Sequence, residues 1–147
     1  MIQDIRDSAD AVGISAFITN SKEKIETQLN RLNKETDLPT MLISWDIDVT
    51  LDFDENGFLK NPTIAIVALL VSKPEDLAKE TQELTSIEMG ELFQLFIRDL
   101  HQRLRKFQKD TAPPITNASY KLVPKHGTGM HSGVLGRFSM RVQAVNC

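Results

Sequence analysis

Residues 42–54, LISWDIDVTLDFD, decide how this chain is read, because they alternate without a break. Trp45, Ile47, Val49, Leu51 and Phe53 share one parity, and Asp46, Asp48, Thr50, Asp52 and Asp54 share the other. Successive side chains of a strand point to opposite faces. The stretch therefore reads as one β-strand with an apolar face toward a core and an acidic face toward water, cations or a partner. Asp54-Glu55-Asn56-Gly57 is turn chemistry and Pro62 marks the next start, which predicts a hairpin with a second strand over Thr63–Val71. That second strand is apolar on both parities, so it is expected at the centre of a sheet, covered on both faces.

The same stretch resembles the first motif of the haloacid-dehalogenase phosphatases, Asp46-x-Asp48-x-Thr50 after apolar residues. The resemblance implies Asp46 as nucleophile and Asp48 as general acid beside Mg²⁺, at the carboxyl end of a parallel strand where the chain turns into a loop. Here the alternation runs on through Leu51, Asp52, Phe53 and Asp54. Lys73 is available for a phosphate, yet after Asp99 the only acidic side chain is Asp110, so the late acidic pair that would hold the metal is missing. A solvated acidic strand face accounts for the same residues.

Outward from this hairpin the pattern changes to helical spacing. Ile2, Ile5, Ala9 and Val12 form a short stripe ended by Gly13, followed by an apolar connector at Ile14–Ile18. Asn20-Ser21-Lys22-Glu23 is a capping pattern for a helix over 22–34 with Ile25, Leu29 and Leu32 on one face, and Leu38-Pro39 leads into the first strand. Beyond the central strand, Ser72-Lys73-Pro74 is a turn, and Leu77 to Leu84 reads as a polar helical turn or an exposed arm. Thr85-Ser86-Ile87-Glu88 is a second capping box, expected to open the longest helix. Its broad stripe of Met89, Leu92, Phe93, Phe96, Ile97, Leu100, Leu104 and Phe107 would cover the sheet. Arg98, Arg103, Arg105, Lys106 and Lys109 form a basic opposite face, concentrated where the helix dipole favours cations. His101 is expected in solvent. Pro113-Pro114 ends the helix, and two strands over 115–123 and 134–145 follow, with Phe138, Met140, Val142 and Ala144 inward. The flexible loop between them, 124–133, carries Lys125, His126 and His131 but matches neither a metal-ligand spacing nor a phosphate-binding loop.

The 147 residues suit one domain, divided into N-terminal helices over 1–36, sheet and long helix over 40–110, and a C-terminal hairpin over 114–146. The longest apolar run, Ile64–Val71, is too short to span a bilayer, so no membrane partner is expected. The single cysteine, Cys147, suits a reducing compartment. Net charge is −3, split as −6 over residues 1–60 and +3 over 61–147, which is poor for nonspecific binding of nucleic acid and suited to a contact between copies. No serine, histidine and carboxylate stand in a recognisable catalytic context, so no catalytic residue and no cofactor are expected.

The resulting fold class is α+β, a mostly antiparallel four-stranded sheet packed against a long amphipathic helix, with N-terminal helices nearby. The order of elements, with Leu38-Pro39 before the first strand, Ser72-Lys73-Pro74 after the second and the Gly-led closing stretch GVLGRFSMRV over 133–142, resembles the small neck proteins of tailed bacteriophages, the tail-terminator and head-tail connector class. The resemblance implies a non-enzymatic virion subunit, assembled in the bacterial host cytoplasm. Such subunits form a ring of about six copies or a multiple, a closed heterologous assembly. A ring of this kind would meet portal, connector or tail-tube proteins and let genomic DNA pass without specific binding. On that reading Asp46, Asp48, Asp52 and Asp54 face a lumen or a neighbouring subunit, Arg98, Arg103, Arg105, Lys106 and Lys109 form the basic partner face, and Lys125, His126 and His131 belong to a docking loop. A cytosolic homodimeric adaptor built on the same sheet is the alternative, and the phosphatase is a third.

Overall fold

The computed structural model describes residues 2–19, 27–28, 31, 39–44, 48–72, 79–106, 113–126 and 131–142. The elements run α1 (Ile2–Val12), β1 (Ser15–Ile18), β2 (Thr40–Ile43), β3 (Asp48–Thr50), β4 (Thr63–Val71), α2 (Lys79–Arg105), β5 (Ile115–His126) and β6 (His131–Arg141). Thr27, Gln28 and Arg31 are also helical, and the rest of the helix expected over 22–34 lies outside the described residues. The fold is α+β, and its sheet is six-stranded and mixed rather than four-stranded. The order is β1-β2-β4-β6-β5, with β3 also paired to β4. The extra strands have two sources. Ser15–Ile18, expected as a connector, pairs in parallel with β2. The single strand expected over 42–54 is divided between β2 and β3, which meet different halves of β4.

One face of the sheet carries the main core. Cross-strand rows such as Ile43–Ala68–Gly136 and Val49–Ile64–Met140–Ile115 point toward the helices, because directly paired residues share a face. Against these rows α2 lays Met89, Phe93, Phe96, Leu100 and Leu104, all buried, while Leu92 and Ile97 are half-buried. Phe93, Phe96 and Phe138 stack at centroid distances of 6.1–6.4 Å, within the usual range for aromatic pairs. The opposite face holds a smaller cluster, Leu42, Leu69 and Val71 with Phe17 and Leu135 packed beside it. Thus β4 is sealed on both faces only over Ala68–Val71, whereas over Thr63–Val67 its burial alternates.

One helix boundary differs from the sequence expectation. The long helix starts at Lys79 and runs straight through the supposed capping box. Ser86 is fully buried there, and its hydroxyl donates to the Gly133 carbonyl, so a residue read as helix punctuation joins α2 to β6. At the other end of the chain α1 closes as expected at Gly13. The Ile14 N–H donates to the Ala9 carbonyl (2.8 Å) and the Gly13 N–H to Asp10 (3.2 Å), with Gly13 at φ 82° and Ile14 buried. Arg103 of α2 reaches α1, donating from Nε to the Ser8 hydroxyl (3.2 Å), and pairs with Asp99 at 3.3 Å. The closing strands reach further into the loop than expected, β5 running on to His126 and β6 starting at His131 with those two residues paired, so only 127–130 of that loop remain outside the described residues. No helix among the described residues is long and apolar enough to cross a membrane.

Candidate interaction site

The chain leaving β3 does not stay on the sheet. β4 begins at Thr63, opposite Thr50, so residues 51–60 extend past the end of the core and, among the described residues, pair only with each other. They close as a narrow hairpin arm. Phe53 bridges Leu59, the Lys60 N–H donates to the Asp52 carbonyl (2.8 Å) and the Asp54 N–H to the Phe58 carbonyl (2.8 Å). The Asp54 carboxylate accepts from the backbone N–H groups of Asn56 and Phe58, both at 2.9 Å, and Gly57 takes the left-handed φ of 83°. This is the three-residue hairpin loop in which a type I turn is followed by a left-handed glycine.

The alternating stretch therefore loses its core cover, although Val49 keeps the helix-facing side in its row with Ile64. Its apolar parity was expected on the core, but Val49 is 54%, Leu51 59% and Phe53 65% exposed, and Phe58 across the turn is 70% exposed. Trp45, Asp46 and Ile47 lie outside the described residues. Asp48, Asp52 and Asp54 are exposed as expected of the acidic parity, but Asp54 also holds the turn of the arm. Asp48 and Thr50 share rows with Ala65–Ser139 and Thr63–Arg141, so this sheet face mixes acid and base rather than being purely acidic.

A second feature lies at the other edge of the sheet. β5 is the terminal strand, and its pairing with β6 is irregular between Thr116 and Ser119, where Asn117 has φ 54°. This bulge leaves a predominantly apolar groove of about 510 Å³ between β5 and α2. Phe93, Ile97, Ile115, Ala118 and Tyr120 line it, with Gln94, Arg98 and His101 contributing polar groups. Gln94 Nε2 donates to the Tyr120 hydroxyl (2.8 Å), and the Phe93 and Tyr120 rings meet edge to face at 5.8 Å. Tyr120 and Leu122 of β5 are themselves partly exposed, at 39% and 43%. On α2, Leu84, Ile87 and Leu95 are exposed within an arc of about 80°.

The structure therefore divides the basic face expected on α2. Arg98 lines the groove, Arg103 is committed to Ser8 and Asp99, Arg105 and Lys106 are exposed, and Lys109 lies outside the described residues. His101, expected in solvent, is half-buried in the groove wall. Lys125 and His126 stand on β5 and His131 on β6, so they belong to a paired hairpin rather than to an irregular loop. The second carboxylate of the phosphatase-like motif, Asp48, lies on an exposed antiparallel strand. That chemistry uses the buried carboxyl end of a parallel one. Among the described residues no three His, Cys, Asp or Glu side chains gather as a metal site. The arm was missed in the sequence because its alternation is the same as that of a core strand. The usable signal was Asp-Glu-Asn-Gly flanked by phenylalanines six to nine residues ahead of Thr63, too far to keep both arms of the hairpin on the sheet.

No protein-family model matches the chain, and no curated protein matches it.

Proposed function

We propose that this chain is a non-enzymatic virion structural protein, a ring-forming tail-terminator or head-tail connector subunit in the neck of a tailed phage. The observation that carries the reading is the arm over 48–60, an ordered hairpin that presents Val49, Leu51, Phe53 and Phe58 to solvent. Soluble single chains rarely hold several large apolar side chains together in water unless a protein partner covers them. An arm fixed by its own hydrogen bonds loses little conformational entropy on docking, which suits a permanent assembly contact. The order of elements resembles the neck class, whose subunits assemble as rings in the host cytoplasm and meet portal, connector or tail-tube proteins. Light scattering across a concentration and salt series tests the reading. The expected result is a closed ring of about six copies.

A homodimeric adaptor is favoured by one different observation. β5 is a twelve-residue edge strand whose outer side pairs with nothing among the described residues, and two such edges can pair about a two-fold axis. A dimer whose mass is unchanged over the same series establishes the adaptor instead.

A further inference from the structure

The arm and the groove are two halves of one contact, and we propose that the arm of each copy docks in the α2–β5 groove of the next. The inference rests on the ring reading for its assembly but on separate observations for its surfaces. β3 joins β4 on the side that β2 occupies, whereas the groove lies beyond β6 at the terminal strand, so the two features flank opposite edges of one sheet. Both belong to the same end of that sheet, since Val49, Ile64, Met140 and Ile115 form one cross-strand row. With arm and receptor on opposite edges, a reciprocal two-fold exchange would need both edges of one sheet to face the same neighbour, whereas a head-to-tail contact needs only one edge of each copy. Such a contact closes into a ring when the rotation between copies divides a full turn.

The chemistry of the two surfaces matches. The arm offers Phe53 and Phe58, which its hairpin register places on opposite faces, beside the exposed carboxylates of Asp52 and Glu55. The groove offers an apolar floor containing Phe93 and Ile97 with Arg98 and His101 at its polar positions. Aromatic anchors entering an apolar cleft, with acidic groups meeting basic ones around them, is the arrangement in which a few central residues carry most of the binding. A hairpin tip also fits the site physically. The groove exists because the bulge at Asn117 lifts β5 out of regular pairing with β6, leaving room for side chains from outside the chain.

The test mixes two variants of the full chain. Phe53→Ser/Phe58→Ser removes the arm's anchors, and Arg98→Glu/His101→Glu reverses the groove's charge. All four positions lie outside the fully buried core, and circular dichroism checks that each variant keeps the wild-type far-UV spectrum and melts cooperatively. We expect the wild type to assemble, each variant alone to be monomeric at concentrations at least ~10-fold above the wild-type midpoint, and an equimolar mixture to give a one-to-one dimer and nothing larger. The dimer arises because each variant retains one intact half. Wild-type rings with variants that still form rings overturn the arm-in-groove contact while leaving the ring reading in place. A wild-type two-fold dimer overturns the ring reading, and overturns the contact as well when both variants still dimerise. A wild type that stays monomeric overturns a second copy as the occupant and leaves the neck reading dependent on a different virion protein. A Phe53→Leu/Phe58→Leu chain, which keeps an apolar tip, is expected to restore assembly, and its failure to do so while folded also counts against the contact.

Discussion

Gly136 and Gly133 of β6 set how closely two neighbours approach that strand. A methyl group at Gly136 would overlap the ring of Phe93, and one at Gly133 would overlap the Leu70 carbonyl on β4. The two obstacles differ in kind. Phe93 is a side chain locked between Phe96, Phe138 and Tyr120, so it has to tilt against close packing. Leu70 contributes backbone held in the sheet, so the strands themselves have to part. Gly136→Ala is therefore expected to cost about 1–3 kcal/mol, the usual range for overpacking, and Gly133→Ala more than about 3 kcal/mol. Urea denaturation of both variants checks the order, and equal costs would contradict the difference between ring and backbone. At the same scale, Arg103 joins α1 to α2 through Ser8, while its pair with Asp99 is about one-third exposed on both sides and contributes little. A double-mutant cycle of Ser8→Ala and Arg103→Ala is expected to give a coupling of about 0.5–1.5 kcal/mol, against near zero for Asp99→Ala with Arg103→Ala.

At the scale of elements, the arm is the part of the molecule whose order owes least to the core. Its tip depends on the Asp54 carboxylate accepting two N–H groups in full solvent contact. Asp54→Ala should leave global stability within about 0.5 kcal/mol, as surface changes usually do. Amide exchange at Asn56 and Phe58 should accelerate at least severalfold, and hydrogen-exchange NMR on the monomeric groove variant, whose arm is intact, or on dilute wild type reads both. Unchanged protection at those two amides would mean the turn is held by something other than Asp54. The elements also show how far the sequence was legible. The α2 stripe and the inward Phe138 and Met140 followed from spacing alone, because periodicity reports which side of an element is apolar. It does not report what lies opposite. Val49, Leu51 and Phe53 have the pattern of a core face, yet only Val49 has a partner on β4, Ile64, and the strand that would bring Leu51 and Phe53 to the core begins only at Thr63. β1 was too short to stand out from a connector, and it becomes a strand only through its parallel neighbour β2. The groove was illegible for a further reason, since it is made by a bulge that pairs α2 residues with β5 residues distant in sequence.

For the whole molecule, the charge split between the two halves gains a place in space. The acidic excess includes the arm, and the basic excess includes Arg98 at the groove, so head-to-tail association would bring unlike halves together. The charges and the apolar anchors should then separate by their response to salt. Exposed ion pairs are screened over about 10 Å at 0.1 M salt and about 3 Å at 1 M, whereas burial of phenylalanine is not weakened by added sodium chloride. Arg98→Ala is expected to weaken assembly severalfold at low salt and to match the wild type at 1 M. Phe53→Ala is expected to weaken it at least ~10-fold at every salt concentration, because truncating a central aromatic anchor costs more than about 1.4 kcal/mol. Sedimentation equilibrium over both series measures this. If instead the two variants lose assembly in parallel, with the same salt dependence, Arg98 does not act through its charge, and the acidic half of the chain faces something other than the basic groove of its neighbour.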